Sequence, residues 1–211
     1  MSIAREGYPF IFIAAFLALL AFLVGLVGLG LILGLFALAF VGFFRDPKRN
    51  PPTGEELILS PADGKIVEIK EVEEGKEGFF GEHGTRISIF LSALDVHVNR
   101  APVDGRIEKA HYQEGKFFPA YKEEASRKNE QNALQIIDPK GRMLSVVQIA
   151  GIMARRIVCY VKEGDSLEKG QKFGMIMFGS RVDLFLPGSS QVEVVKGQHV
   201  RGGETVIARF V

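Results

Sequence analysis

Lys172-Phe173-Gly174-Met175-Ile176-Met177-Phe178-Gly179-Ser180-Arg181-Val182-Asp183-Leu184-Phe185-Leu186-Pro187 reads as two short apolar runs joined by a Gly-Ser pair. Each run is too short for a helix and is bounded by Gly or Pro, which is the signature of β-strands. Taken alone, Gly179-Ser180 is a turn between them. The same grammar recurs on both sides, at residues 65–69, 86–91, 144–149, 156–161, 191–195 and 205–210, with Gly, Pro or Asp in the gaps. One helix is expected within 120–132, where Tyr121, Lys122, Glu123, Glu124, Arg127 and Lys128 form a charged, solvated face. The predicted fold is mostly β: a compact, multi-stranded domain.

Two internal similarities support a folded-over β architecture. Pro61-Ala62-Asp63-Gly64-Lys65-Ile66 recurs as Pro102-Val103-Asp104-Gly105-Arg106-Ile107, each an Asp-Gly turn opening a strand. Val161-Lys162-Glu163-Gly164-Asp165 likewise recurs as Val195-Lys196-Gly197-Gln198-His199. Simple turn chemistry accounts for both equally well. The stretch from Glu163 to Gln171 also resembles the hairpin of biotinyl and lipoyl carrier modules. A carrier would present a lysine at the apex, and Gly174-Met175-Ile176-Met177-Phe178 has none.

The amino terminus is different in kind. From Gly7 to Phe44 there is no charged residue, and the run exceeds the roughly 20 apolar residues that one membrane crossing needs. Gly25, Gly28, Gly30 and Gly34 weaken helix propensity at its middle. The expectation is a hydrophobic helical hairpin, about 9–24 and 31–44, that crosses or dips into a bilayer. A cleaved signal peptide would be shorter and followed by small residues. Arg45, Lys48 and Arg49 follow the run and Arg5 precedes it, so both flanks belong on the cytoplasmic side of the cell membrane. The prolines at 47, 51 and 52 end the helical part. This divides the chain into a membrane-associating segment with its linker, 1–50, and a β domain, 51–211.

A net charge of +1 argues against a nucleic-acid partner. Cys159 is the single cysteine and sits in an apolar run, so it reads as a small buried hydrophobe. His83, His111 and His199 show no metal-ligand spacing, so no metal is expected.

Besides Gly179-Ser180, two further motifs stand out: Ser60-Pro61-Ala62-Asp63-Gly64 and Leu94-Asp95-Val96-His97-Val98-Asn99-Arg100-Ala101-Pro102. In order and spacing, with the hydrophobic amino terminus, they resemble the short branch of the phosphatidylserine decarboxylase family from about Arg45 onward. Longer members carry a Leu-Gly-Ser-Thr type sequence where this chain has Phe178 and Arg181 as flanks. They also carry a second histidine where this chain has Arg100, which leaves histidine duties to His97, alone or with help from elsewhere in the chain.

The resemblance implies a proenzyme that cleaves itself between Gly179 and Ser180 into chains 1–179 and 180–211, which stay associated. Ser180 would become a covalent pyruvoyl group, the cofactor that forms a Schiff base with the substrate amine. The function implied is conversion of phosphatidylserine, or the related archaetidylserine, to the ethanolamine lipid and CO2. His97 is the expected base and acid, with Asp63 orienting it or supplying the base in a relay. Without the resemblance, His97 reads as a core histidine and Asp63 as a turn residue. Arg100 and Arg181 are the candidate contacts for the substrate phosphate, with Lys116 a third. The partners implied are a phospholipid and a membrane, and a homo-oligomer is compatible with all of this. Two other readings stay open: a hydrolytically self-cut protein with an amino-terminal serine nucleophile, and a tethered β scaffold that is never cut. The mass of the light chain separates the first two, and an intact chain on a denaturing gel marks the third.

Overall fold

The computed structural model describes residues 2–72, 83–116, 118, 128–151, 156–177 and 180–211. The chain forms two compact units, 1–48 and 49–211.

The first unit is a helical hairpin. β1 (Ser2–Ile3) pairs antiparallel with β2 (Arg45–Asp46), closing the open end around α1 (Tyr8–Leu23) and α2 (Val27–Phe43). The glycine-rich middle does not form a long break. Only Gly25, with φ of +79°, sits in the turn, while Gly28, Gly30 and Gly34 lie inside α2. Packing explains Gly30: a Cβ there would meet the Phe22 ring at 2.8 Å, so its absence lets the helices approach. Both helices expose most of their large apolar side chains, including Phe12, Ile13, Leu35 and Leu38. Residues Arg5–Leu23 form a helical segment long and apolar enough to cross a membrane, and Val27–Phe43 is a shorter apolar helix.

The second unit holds β3 (Leu57–Leu59), β4 (Gly64–Val72), β5 (Gly84–Leu91), β6 (Val98–Arg100), β7 (Gly105–Gln113), β8 (Gln131–Ile137) and β9 (Met143–Ile149). It continues with β10 (Ile157–Cys159), β11 (Ser166–Leu167), β12 (Lys172–Ile176), β13 (Ser180–Pro187), β14 (Ser190–Val192), β15 (His199–Val200) and β16 (Val206–Phe210). The mostly-β expectation holds. The helix expected within 120–132 falls largely on residues outside those described, but its end is strand: Gln131 and Asn132 open β8.

Eight strands make one sheet in the order β11-β7-β8-β9-β13-β5-β4-β15. Two three-stranded sheets, β10-β12-β6 and β14-β16-β3, complete the unit. One core joins all three, with Ile66, Ile89, Leu134, Val146, Leu184, Phe173 and Ile207 among its members. Val72, Ala133, Val147, Ile149 and Phe185 form a second cluster. They alternate along their strands with the main-core residues, so the large sheet is buried on both faces.

The internal similarity is structural as well as textual. β4 and β7 both open at the glycine of their Asp-Gly pair, and both shift register shortly after, at Ile66/Glu68 and Ile107/Lys109. Ile66 exchanges backbone hydrogen bonds with Gly197 and Gln198 just as Ile107 does with Gly164 and Asp165. β15 flanks β4 as β11 flanks β7, so the eight-stranded sheet has matching ends. Asp63 Oδ1 accepts the Gly202 amide at 2.7 Å, and Asp104 Oδ1 accepts the Lys169 amide at 2.7 Å. The repeat therefore supplies an internal comparison for Asp63.

Candidate active site

Ser180 opens β13, the strand held between β5 and β9, where it pairs with Leu91 at the end of β5. Its position near the middle of the sheet explains its complete burial. The Oγ makes no hydrogen bond among the described residues. A buried hydroxyl left unsatisfied costs about 1–3 kcal/mol, so its retention calls for a chemical reason. Phe178 and Gly179 lie outside the described residues, so the expected cleavage point is seen from the Ser180 side.

The chain leaves β5 through a turn at Ser92–Asp95. Ser92 donates from its backbone N (2.8 Å) and its Oγ (2.6 Å) to Asp95 Oδ2, and the Asp95 amide donates to the Ser92 carbonyl at 3.0 Å. This turn presents the Asp95 carbonyl to His97 Nδ1 at 3.0 Å. A carbonyl only accepts, so Nδ1 carries the proton in the neutral ring and the lone pair belongs to Nε2. His97 is fully buried, and its own carbonyl accepts the Ile176 amide at 3.3 Å. Ile176 ends β12, the strand just before Ser180 in the chain. The Leu91–Ser180 and His97–Ile176 contacts together draw the two motifs toward one region of the fold.

Asp63 takes a different place from a direct relay partner. Its Oδ1 is bonded to Gly202, and its Oδ2 accepts Arg49 Nη2 at 2.7 Å. Arg49 Nη1 continues to Glu204 at 3.0 Å. The orienting contact to His97 thus comes from the Asp95 carbonyl, while the Asp63 carboxylate is held by Gly202 and Arg49. Burial raises the Asp63 carboxyl pKa, with the nearby Asp95 charge adding to it. The Gly202 amide and the Arg49 guanidinium oppose the rise without cancelling it. For Arg49, burial lowers the pKa but Asp63 and Glu204 outweigh it, and the net shift is upward. The Oδ1 bond is architectural, since Asp104 repeats it. The ion pair to Arg49 is what Asp63 has in addition.

The two arginines expected at the substrate phosphate are buried and engaged. Arg100 Nη1 donates to the Gly170 carbonyl at 3.0 Å, and Arg181 Nη2 pairs with Asp183 at 2.8 Å. Lys116 is exposed. Among the described residues no three His, Cys, Asp or Glu side chains gather as a metal site. Arg49, Asp95 and Glu204 were not singled out by sequence as site residues. Of these only Asp95 carried a signal, the Ser-x-x-Asp spacing of a side-chain-capped turn.

The family model for phosphatidylserine decarboxylase matches residues 36–208. A phosphatidylserine decarboxylase proenzyme of Carboxydothermus hydrogenoformans is 48% identical over 98% of this chain and 95% of its own length. Proteins of the same name from Burkholderia mallei and Burkholderia lata are 45% and 44% identical, each over 99% of this chain and 95% and 96% of theirs. With the Ser180, His97 and Asp63 motifs in order along one β unit, the chain belongs to the phosphatidylserine decarboxylase family.

Proposed function

We propose that the chain is a proenzyme that cuts itself between Gly179 and Ser180 and then converts phosphatidylserine to phosphatidylethanolamine and CO2. The observation that carries the self-processing step is the Ser180 Oγ, wholly buried and without a hydrogen-bond partner among the described residues. It is a nucleophile kept from water beside a backbone bond of the same chain. The hydroxyl adds to the Gly179 carbonyl, and the amide becomes an ester once the C–N bond breaks and the nitrogen takes up a proton. β-Elimination of the ester carboxylate leaves dehydroalanine at residue 180, whose imine tautomer takes up one water and releases ammonia to become a pyruvoyl group. That group supplies a carbonyl to condense with the substrate amine and to accept the electrons released as CO2 leaves.

His97 is the base for the Ser180 proton, through Nε2, because the Asp95 carbonyl fixes the proton on Nδ1. The same nitrogen, once protonated, returns a proton to the substrate carbon. Asp63 serves as a positioning group, its carboxylate held by Arg49 and Gly202. Arg100 and Arg181 are the candidate guanidinium groups for the substrate phosphate. The exposed apolar hairpin seats the protein in the cell membrane with the β unit on the cytoplasmic face, where the lipid headgroup is reached. The two chains stay together because β13 is hydrogen-bonded between β5 and β9, strands of the other chain.

The test is decarboxylation of phosphatidylserine in mixed micelles. Wild-type protein should release CO2, and borohydride should fix the lipid to the 180–211 chain. Ser180→Ala should stay uncut and inactive; a cut or active Ser180→Ala protein would refute the proposal.

A further inference from the structure

Three strands bury a chain of side-chain amides apart from the Ser180, His97 and Asp63 contacts. Asn132 of β8 donates from Nδ2 to Gln148 Oε1 of β9 at 3.0 Å. Gln148 Nε2 donates to Asn99 Oδ1 of β6 at 2.8 Å. Asn99 and Gln148 are both 0% exposed, and Asn99 Nδ2 has no hydrogen-bond partner among the described residues.

These two bonds give the chain a direction: the Gln148 and Asn99 oxygens are both occupied, and it ends in a buried N–H donor on Asn99. Room for the crossing comes from Gly174, since a Cβ there would stand 2.8 Å from Gln148 Nε2 and 2.5 Å from the Val158 carbonyl.

The relay ends on the nucleophile's side of the sheet. Gln148 stands opposite Val182 in the β9–β13 pairing. Its side chain therefore projects from the face that carries Val182 and, next along that face, Ser180. Asn99 lies just beyond His97 in the chain, paired with Gly174 of β12, the strand that leads into Ser180. Two buried polar atoms without partners, Ser180 Oγ and Asn99 Nδ2, thus belong to one face of the fold. One is a nucleophile and the other a donor whose amide is held through its oxygen by Gln148.

We propose that Asn99 Nδ2 is the donor that stabilises the oxyanion of self-cleavage, held in orientation by Gln148 and Asn132. This rests on the self-processing reading above. As Ser180 Oγ bonds to the Gly179 carbonyl carbon, its proton passes to His97 and the carbonyl π pair moves onto oxygen. Asn99 meets that negative charge with an N–H already oriented, so no reorganisation is needed as the charge develops. When the C–N bond breaks, the carbonyl reforms as the ester and the hydrogen bond relaxes. Asn99 is then a catalytic residue of maturation, and Gln148 and Asn132 are positioning residues.

The experiment follows appearance of the 180–211 chain on denaturing gels after cell-free synthesis of the full chain into detergent micelles. Asn99→Ala should slow cutting by about 10²–10³-fold, the usual effect of losing one oxyanion donor. Asn99→Asp keeps the size and the Gln148 contact but loses the donor. It should be equally slow at neutral pH, and its rate relative to wild type should rise as pH falls and the acid regains a proton to donate. Gln148→Leu, which frees the Asn99 amide to turn, should slow cutting to a lesser degree. Melting of Asn99→Ala on the Ser180→Ala background, compared with Ser180→Ala alone, checks that the fold survives. If that variant does not fold, Asn99→Asp and its pH dependence decide. Cutting of Asn99→Asp within about 3-fold of wild type at neutral pH would overturn the proposal, against the 10²–10³-fold expected. So would normal cutting with loss of decarboxylation alone, which would place Asn99 at the substrate. A wild-type light chain beginning with serine would instead overturn the pyruvoyl reading and leave the effect of Asn99 on cutting intact.

Discussion

Arg49→Ala is the substitution whose consequence is most closely determined by the structure. The Arg49 side chain is 7% exposed and its partner Asp63 15%, at 2.7 Å. Removing one member of a buried pair costs about 3–5 kcal/mol. Asp63 keeps the Gly202 amide and some exposure, so we take about 2–3 kcal/mol at pH 7.5. The pH dependence has a definite sign. The Asp63 carboxyl is already raised by burial, and loss of the guanidinium raises it further. A carboxyl with a raised folded pKa binds more protons folded than unfolded. Stability therefore falls as pH rises from the ordinary carboxylate value through the raised one. The Arg49→Ala deficit should be largest at pH 7.5 and smaller at pH 5, because a further raised carboxyl takes up its proton earlier as pH falls. Adding Asp63→Asn removes the stranded charge and should recover at least half the loss at pH 7.5. The assay is urea unfolding by circular dichroism of full-length Ser180→Ala protein in micelles, with Asp104→Asn as the control at the equivalent turn. An Arg49→Ala deficit that is equal at both pH values and unrelieved by Asp63→Asn would refute the reasoning.

His97→Ala should slow self-cleavage by about 10²–10⁴-fold, read as persistence of the uncut chain on a gel. Asp138, at the β8–β9 turn, accepts the Lys140 and Arg142 amides at 2.9 and 2.8 Å and Arg142 Nε at 2.7 Å. Burial raises its pKa, but Arg142 and these bonds outweigh that and hold it below the ordinary value. Asp138→Asn should therefore cost about 1–2 kcal/mol at neutral pH. That difference should vanish as pH falls through the lowered pKa, where wild type loses the same contribution; unfolding curves at pH 7 and in acid check it. Removal of residues 1–44 should give a protein that stays soluble without detergent and still cuts itself, read by sedimentation and gel.

The strand grammar made most of the β unit legible. Residues 86–91, 144–149 and 182–186 are rich in apolar residues because their strands, β5, β9 and β13, lie inside a sheet buried on both sides. β7 was harder to read, since Lys109, His111 and Tyr112 give it a polar surface and only Ile107 is buried. The start of β8 reads in the sequence as the end of a helix because the charged residues before it set the pattern there. In the hairpin, glycine propensity suggested a wide break, whereas packing at Phe22 makes Gly30 a helix residue. At the candidate site, Gly179-Ser180, His97 and Asp63 are legible through their motifs. The partners were not: Arg49 reaches Glu204 across most of the chain, and Asn99, Gln148 and Asn132 come from three separate strands. Arg49 had looked like a positive flank of the membrane segment, and no local pattern distinguishes that from a buried ion pair.

Residue 180 is proposed to change from serine to pyruvoyl when the chain divides. Intact-mass analysis of the purified, denatured protein measures this directly. Two chains are expected, 1–179 and 180–211, the second lighter by one ammonia than the hydrolytic fragment and resistant to Edman degradation. A 180–211 chain with a free amino-terminal serine, or an undivided chain in active protein, would contradict it.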